Sequence, residues 1–186
     1  MRPNEGTTER PSELGRVPIH RGAVFAVERV AFRDRSGRER ERDVVRHPGA
    51  VTVIPVRSDG QLVMIRNWRV AVGTWLHEFC AGKLEPGEDP AAAAARELEE
   101  ETGHRASEVR AMGAFFTSPG FADERMHVFE ARGLEPVPRR LEPGEEIEVA
   151  FRSPADLERM IASGEVVDGK TIGAYLLWRL RKGQVT

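Results

Sequence analysis

Glu97, Glu100 and Glu101 stand at i, i+3 and i+4, so on a helix they share one face. The flanking residues predict that helix. Asp89 is placed to cap its N-terminus, and Pro90 takes the first helical position, where a missing N–H costs nothing. A run of alanines carries it forward, and Gly103 sits where a left-handed C-terminal cap is expected. Ala91, Ala95, Leu98 and Thr102 fall on a further face, the one expected to pack on the core. Three glutamates on one face repel by about 0.2–0.5 kcal/mol per pair, which Arg96 offsets only in part. A solvated acidic face would explain three glutamates alone. A divalent cation would instead turn the repulsion into coordination, and Mg2+ suits hard carboxylate oxygens while keeping waters for itself and for substrate phosphates.

The spacing extends beyond these three. Gly82 is followed after five residues by Glu88, and after seven more by Arg96-Glu97-Leu98, then Glu100-Glu101 and Gly103. Residues 82–104 thus resemble the Nudix box, G-x5-E-x7-R-E-U-x-E-E-x-G-U, where U is a bulky aliphatic residue. Every charged and glycine position matches, and His104 in the last aliphatic slot is the one departure. The resemblance implies hydrolysis of a nucleoside diphosphate linked to another moiety, with two or three Mg2+ ions, or Mn2+, at the site. It also implies roles. Glu97 and Glu101 would be the principal metal ligands, Glu100 a further or bridging one, and the Ala81 carbonyl an additional oxygen donor. Arg96 would hold the glutamates in place, Gly82 would allow close backbone approach, and Glu88 would stabilise the loop–helix junction.

Three features outside the box resemble the ADP-ribose pyrophosphatase group. Asn67-Trp68-Arg69, ahead of Glu78-Phe79-Cys80-Ala81-Gly82, is similar to its Q-Y-R…E-x-P-A-G lead-in, with Asn67, Trp68 and Cys80 as departures. Pro119 in the Ser118-Pro119-Gly120-Phe121 loop lies 16 residues past Gly103, the group's usual marker. Residues 144–149, Gly-Glu-Glu-Ile-Glu-Val, resemble the loop and strand carrying its late glutamate. The resemblance implies Arg69, Arg46, Glu78 and Pro119 as substrate-binding residues, Arg46 reaching across a dimer, and Trp68 or Phe121 stacking on the base. Aligned on residues 147–149, Glu145 takes the late metal-binding position. The general base is expected at Glu146, with Glu142 and Glu145 as alternatives, or at hydroxide generated by metal alone. The expected reaction gives AMP and ribose 5-phosphate from ADP-ribose. Another sugar nucleotide such as GDP-mannose, or a non-catalytic nucleotide-binding module, are the alternatives.

The remaining chain must position these groups. Its 186 residues suffice for one sizeable core, and 28 basic against 30 acidic residues give no nucleic-acid or membrane signature. No apolar stretch approaches the roughly 18 residues of a span, and the first residues form no signal region. Cys80, the lone cysteine, excludes an internal disulfide, fits the reducing cytoplasm, and reads as a small core residue. Residues 1–16 are polar and expected to be a loose arm. Residues 21–32 and 39–47 read as a hairpin about Asp34-Arg35-Ser36-Gly37, whose charge runs face solvent. Strands are expected at 50–57, 61–68, 75–79, 81–83, 109–116, 125–131 and 147–152. A helix capped by Ser153-Pro154 ends at Gly164, and another covers 170–182. This order predicts an α/β fold, a mixed sheet covered by helices on both faces. The resemblance makes it the Nudix α/β/α sandwich (residues 48–186) plus an N-terminal antiparallel sheet (residues 1–47) exchanged in a homodimer.

Overall fold

The computed structural model describes residues 11–182. The chain divides into two compact units. The first comprises residues 1–47 with 118–124, and the second residues 48–117 with 125–186. The arm expected over residues 1–16 lies, for residues 1–10, outside the described residues.

In the first unit β1 (Ser12–Arg21), β2 (Ala26–Arg33) and β3 (Glu39–Arg46) form an antiparallel sheet in that order. β2 and β3 are the expected hairpin. Its charge runs face one another across the strands, with Arg29 opposite Asp43 at 2.9 Å and Arg33 opposite Glu39 at 3.0 Å. β1 corrects the expected arm, since residues from Ser12 onward are a paired strand. Register shifts at Glu13/Gly15 and Pro18/His20 break its alternation, and every residue of it is exposed, so hydropathy carries no period-2 signal. The loop 118–124 joins the edge of β3, where Val45 N–H donates to Phe121 O and Asp123 N–H to Val45 O.

The second unit is built on β4 (Ala50–Pro55), all six residues of which are buried. Such a strand must be covered on both faces. Val51 and Val53 join a cluster with Cys80, Ala94, Leu98 and Phe129, under helix α1 (Pro90–Thr102). Ile54 joins the opposite cluster with Phe79, Leu157, Met160 and Trp178, under α2 (Pro154–Ser163) and α3 (Gly169–Lys182). The result is the expected helix–sheet–helix sandwich. β4 pairs with β7 (Ala81–Lys83) antiparallel and with β9 (Arg125–Pro136) parallel, and β9 pairs with β8 (His104–Phe116), giving the order β7-β4-β9-β8. A second sheet has the order β10-β5-β6, with β5 (Leu62–Arg69), β6 (Thr74–Glu78) and β10 (Ile147–Arg152). β8 and β9 run longer than expected, reaching His104 and Pro136. Cys80 is fully buried, as expected of a core residue, and burial pushes its thiol up.

Candidate active site

Helix α1 starts and stops where its caps dictate. Asp89 accepts the Ala91 and Ala92 N–H groups, and Gly103, at φ 68°, donates its N–H to Glu99 O. Its buried face differs from the expected one. Ala91 is exposed and Ala95 only half-buried, while Ala93, Ala94, Glu97, Leu98, Glu101 and Thr102 are buried. Two box carboxylates therefore lie on the inward side, against the hydrophobic logic of helix packing. Such a placement needs a partner for each charge.

Part of that partner is the chain itself. β7 runs beside the helix, and Ala81 N–H donates to Glu101 at 2.9 Å. A Cβ on Gly82 would lie 1.8 Å from Glu97 Oε1, so only glycine admits this carboxylate. Arg96 gathers the rest. It donates to Glu88 at 3.0 and 3.1 Å, to Glu97 at 2.7 Å and to Glu100 at 3.0 Å. Glu88 also accepts Glu85 N–H at 2.9 Å, which ties the loop to the helix. His104, the departure from the box, is half-buried; its Nδ1 lies 2.9 Å from Thr102 O and its ring edge-on to Phe151.

The electrostatics mark the same spot. Burial raises the Glu101 carboxyl to about 8; Ala81 N–H opposes this, and the charges of Glu97 and Glu145 add to it. Burial likewise raises Glu97, Arg96 opposes the rise, and Glu100 and Glu145 add to it. A cavity of about 390 Å³ opens here, lined among others by Ala81, Gly82, Glu97, Glu142 and Glu145. The loop bearing the late glutamates is fastened to the C-terminal end of α1. Val137 N–H donates to Gly103 O, and Arg140 N–H to Glu100 O. Glu146, where the base was expected, is exposed and does not line this cavity; Glu142 and Glu145 do. The loop closes on itself through Glu142 N–H, which donates to Glu145 Oε2 at 2.8 Å.

Among the described residues, no three His, Cys, Asp or Glu side chains converge closely enough to hold an ion as they stand. Arg96 holds Glu97 and Glu100 at one guanidinium nitrogen, while Glu101 accepts Ala81 N–H. The donor set still fits a hard divalent cation. It offers carboxylate oxygens in excess over cationic charge, a backbone segment without a Cβ, and a buried acid that holds its proton for want of positive charge.

The expected substrate residues fall in two places. Glu78, at the end of β6, is wholly buried, and Arg69 grips it bidentately at 2.8 and 2.6 Å. Lys170 also donates to Glu78. Both Glu78 oxygens thus bond to cations. Arg46 and Pro119 belong to the first unit. Arg46 donates to Glu28 at 2.8 Å and to Asp123 at 3.0 Å, and Pro119 lies in the turn that Ser118 O closes with Phe121 and Ala122 N–H. Trp68 is exposed on β5, edge-on to Trp75. Sequence reasoning missed Lys170 and Asp168; their only signal is a pair of opposite charges, one just before α3 and one in its first turn.

The comparisons point the same way. The NUDIX domain model matches residues 46–172. The ADP-ribose pyrophosphatase of Bacillus subtilis is 41% identical over 149 residues, 79% of this chain and 80% of its own. That of Mycobacterium tuberculosis is 36% identical over 161 residues, 85% of this chain and 78% of its own. Relatives named GDP-mannose pyrophosphatase also match, that of Citrobacter koseri at 34% over 70% of this chain and 76% of its own. A crystal structure titled ADP compounds hydrolase shares the fold with a TM-score of 0.85 at 24% identity, covering 97% of this chain and 98% of that one.

Proposed function

The chain belongs to the NUDIX family of hydrolases, and we propose that it cleaves the pyrophosphate bond of ADP-ribose with water, giving AMP and ribose 5-phosphate. The observation that carries the reading is the pair of inward carboxylates, Glu97 and Glu101, beside the Cβ-free backbone of Gly82. Family members are in general divalent-metal dependent, and we assign Mg2+, with Mn2+ as substitute and two or three ions per site.

Glu97, Glu101 and the Ala81 carbonyl would hold the metal, with Glu100 and Glu145 completing the set. A divalent cation bound there supplies positive charge against the bridge oxygens and makes water a better nucleophile at neutral pH. The chain's own groups prepare this. Arg96 balances the carboxylates until they are needed elsewhere, and its link to Glu88 keeps the loop in register. Glu101 gives up a proton that burial otherwise retains. Glu142, beside Glu145 in the cavity lining, would be the carboxylate that accepts a proton from the attacking water. Arg69, anchored on Glu78 and partly exposed, keeps donors for an anionic phosphate oxygen.

Through the N-terminal sheet the protein forms a homodimer in this reading, and its single buried thiol suits the cytoplasm. The test is a competition panel of ADP-ribose, GDP-mannose and ADP-glucose at equal concentration with Mg2+. ADP-ribose should be consumed first; preferential loss of GDP-mannose would overturn the substrate assignment and leave the metal chemistry standing.

A further inference from the structure

Helix α3 does more than cover the sheet, because its first turn reaches the ends of β5 and β6. Asp168 Oδ2 accepts both the N–H (2.9 Å) and the O–H (2.6 Å) of Thr171, whose Oγ1 accepts Phe79 N–H at 3.0 Å. These bonds fasten the helix to the strand by themselves. Lys170 adds something else. Its side chain, 13% exposed, donates to Glu78 and lies 2.9 Å from Asp168. Arg69, Glu78, Lys170 and Asp168 form a quartet of two cations and two anions, and its Glu78 stands three residues ahead of Ala81 in the chain.

Arg69 is the exposed member of the quartet, at 39%. Glu78 takes its Nε and one Nη2 hydrogen, and among the described residues nothing else is bonded to its guanidinium. That guanidinium also lies in the fields of Glu101 and Asp168. Without a second cation Arg69 would face Glu78, Asp168 and Glu101 alone, and little of its charge would be left for a ligand. We propose that Lys170 is a positioning residue for substrate recognition: by neutralising Asp168 and sharing Glu78, it leaves the Arg69 guanidinium available to a phosphate oxygen of the sugar nucleotide. The inference rests on the hydrolase reading above, in which Arg69 meets the diphosphate.

Charge balance gives the test. Lys170→Met keeps the alkyl stem and leaves the quartet one negative charge in excess, beside a site for an anion. KM for the sugar nucleotide should rise about tenfold, the scale of one unit charge near a partly exposed anion site, while kcat stays within about threefold. Lys170→Arg should restore KM. The double variant Asp168→Asn/Lys170→Met should restore it too, because asparagine still caps the helix and the net charge returns to zero. A merely structural Lys170 would make the double variant worse than the single one. If the Met variant does not fold, Lys170→Gln with and without Asp168→Asn makes the same comparison. The wild type is assayed first on the competition panel, and the variants on whichever substrate it cleaves fastest. Wild-type preference for another sugar nucleotide therefore counts against the ADP-ribose reading alone. An unchanged KM in Lys170→Met, or a double variant no better than the single, overturns the role of Lys170.

Discussion

Glu101→Gln in the metal-free protein probes the buried carboxylate cluster directly. Glu101 is 3% exposed, and burial raises its carboxyl from an ordinary 4.5 to about 8. A carboxyl raised in the folded state holds its proton more tightly there than in the unfolded chain. The stability this represents is fully present below about pH 4.5 and is lost as pH rises toward 8. At about 1.36 kcal/mol per pH unit, the two units from pH 5 to pH 7 are worth about 3 kcal/mol relative to a side chain that does not titrate. Glu97 is raised in the same direction and adds to the trend. Glutamine keeps a carbonyl for the Ala81 N–H and removes the titration. In a chain of this length 1 kcal/mol moves the melting point by about 2–4 °C, so the variant should gain roughly 6–12 °C on the wild type between pH 5 and pH 7 in EDTA. Calorimetric scans across that range decide it. With Mg2+ the order should reverse, because the metal replaces the proton and binds only the wild type well. Parallel melting curves in EDTA would refute the reasoning.

Gly82→Ala puts a Cβ 1.8 Å from Glu97 Oε1, and displacing that carboxylate should lower kcat/KM by about 10²-fold while the melting point moves little. Gly103→Ala forces alanine to φ 68° with its Cβ 3.1 Å from Val137 O, so it should cost about 1–2 kcal/mol by denaturant titration. Removing residues 1–47 should halve the mass seen by light scattering if the N-terminal sheet makes the dimer.

The glutamate cluster was legible in the sequence because it depends on local spacing. Asp89, Pro90 and Gly103 cap the helix as their side chains and φ preferences require, and the offsets of Gly82, Glu88 and Arg96 from the glutamates survive any packing. Which face turned inward was not legible. Hydropathy assigns alanine and leucine to the core, yet Glu97 and Glu101 are buried, where Arg96, the Ala81 N–H and the Cβ-free Gly82 receive them, an arrangement that pattern reading does not anticipate. β1 escaped because Gly15, Pro18 and two bulges erase its alternation. Strand alignment gives Glu145 the late metal-binding position but does not single out a base among Glu142, Glu145 and Glu146; only the folded loop shows that Glu142 and Glu145 line the cavity and Glu146 does not. Lys170 could not be found at all from its neighbours in sequence. It meets Glu78 across 92 residues, and only the packed helix brings the two together.

The central claim is metal-dependent attack of water on the pyrophosphate of ADP-ribose at the Glu97–Glu101 cluster. Wild type and Glu101→Gln should be incubated side by side with ADP-ribose, with Mg2+ and with excess EDTA, and the products separated by chromatography. The account predicts AMP and ribose 5-phosphate in equal amounts from the wild type with Mg2+, none in EDTA, and turnover lower by orders of magnitude in the variant. Undiminished cleavage in EDTA, or near-normal turnover by Glu101→Gln, would contradict it.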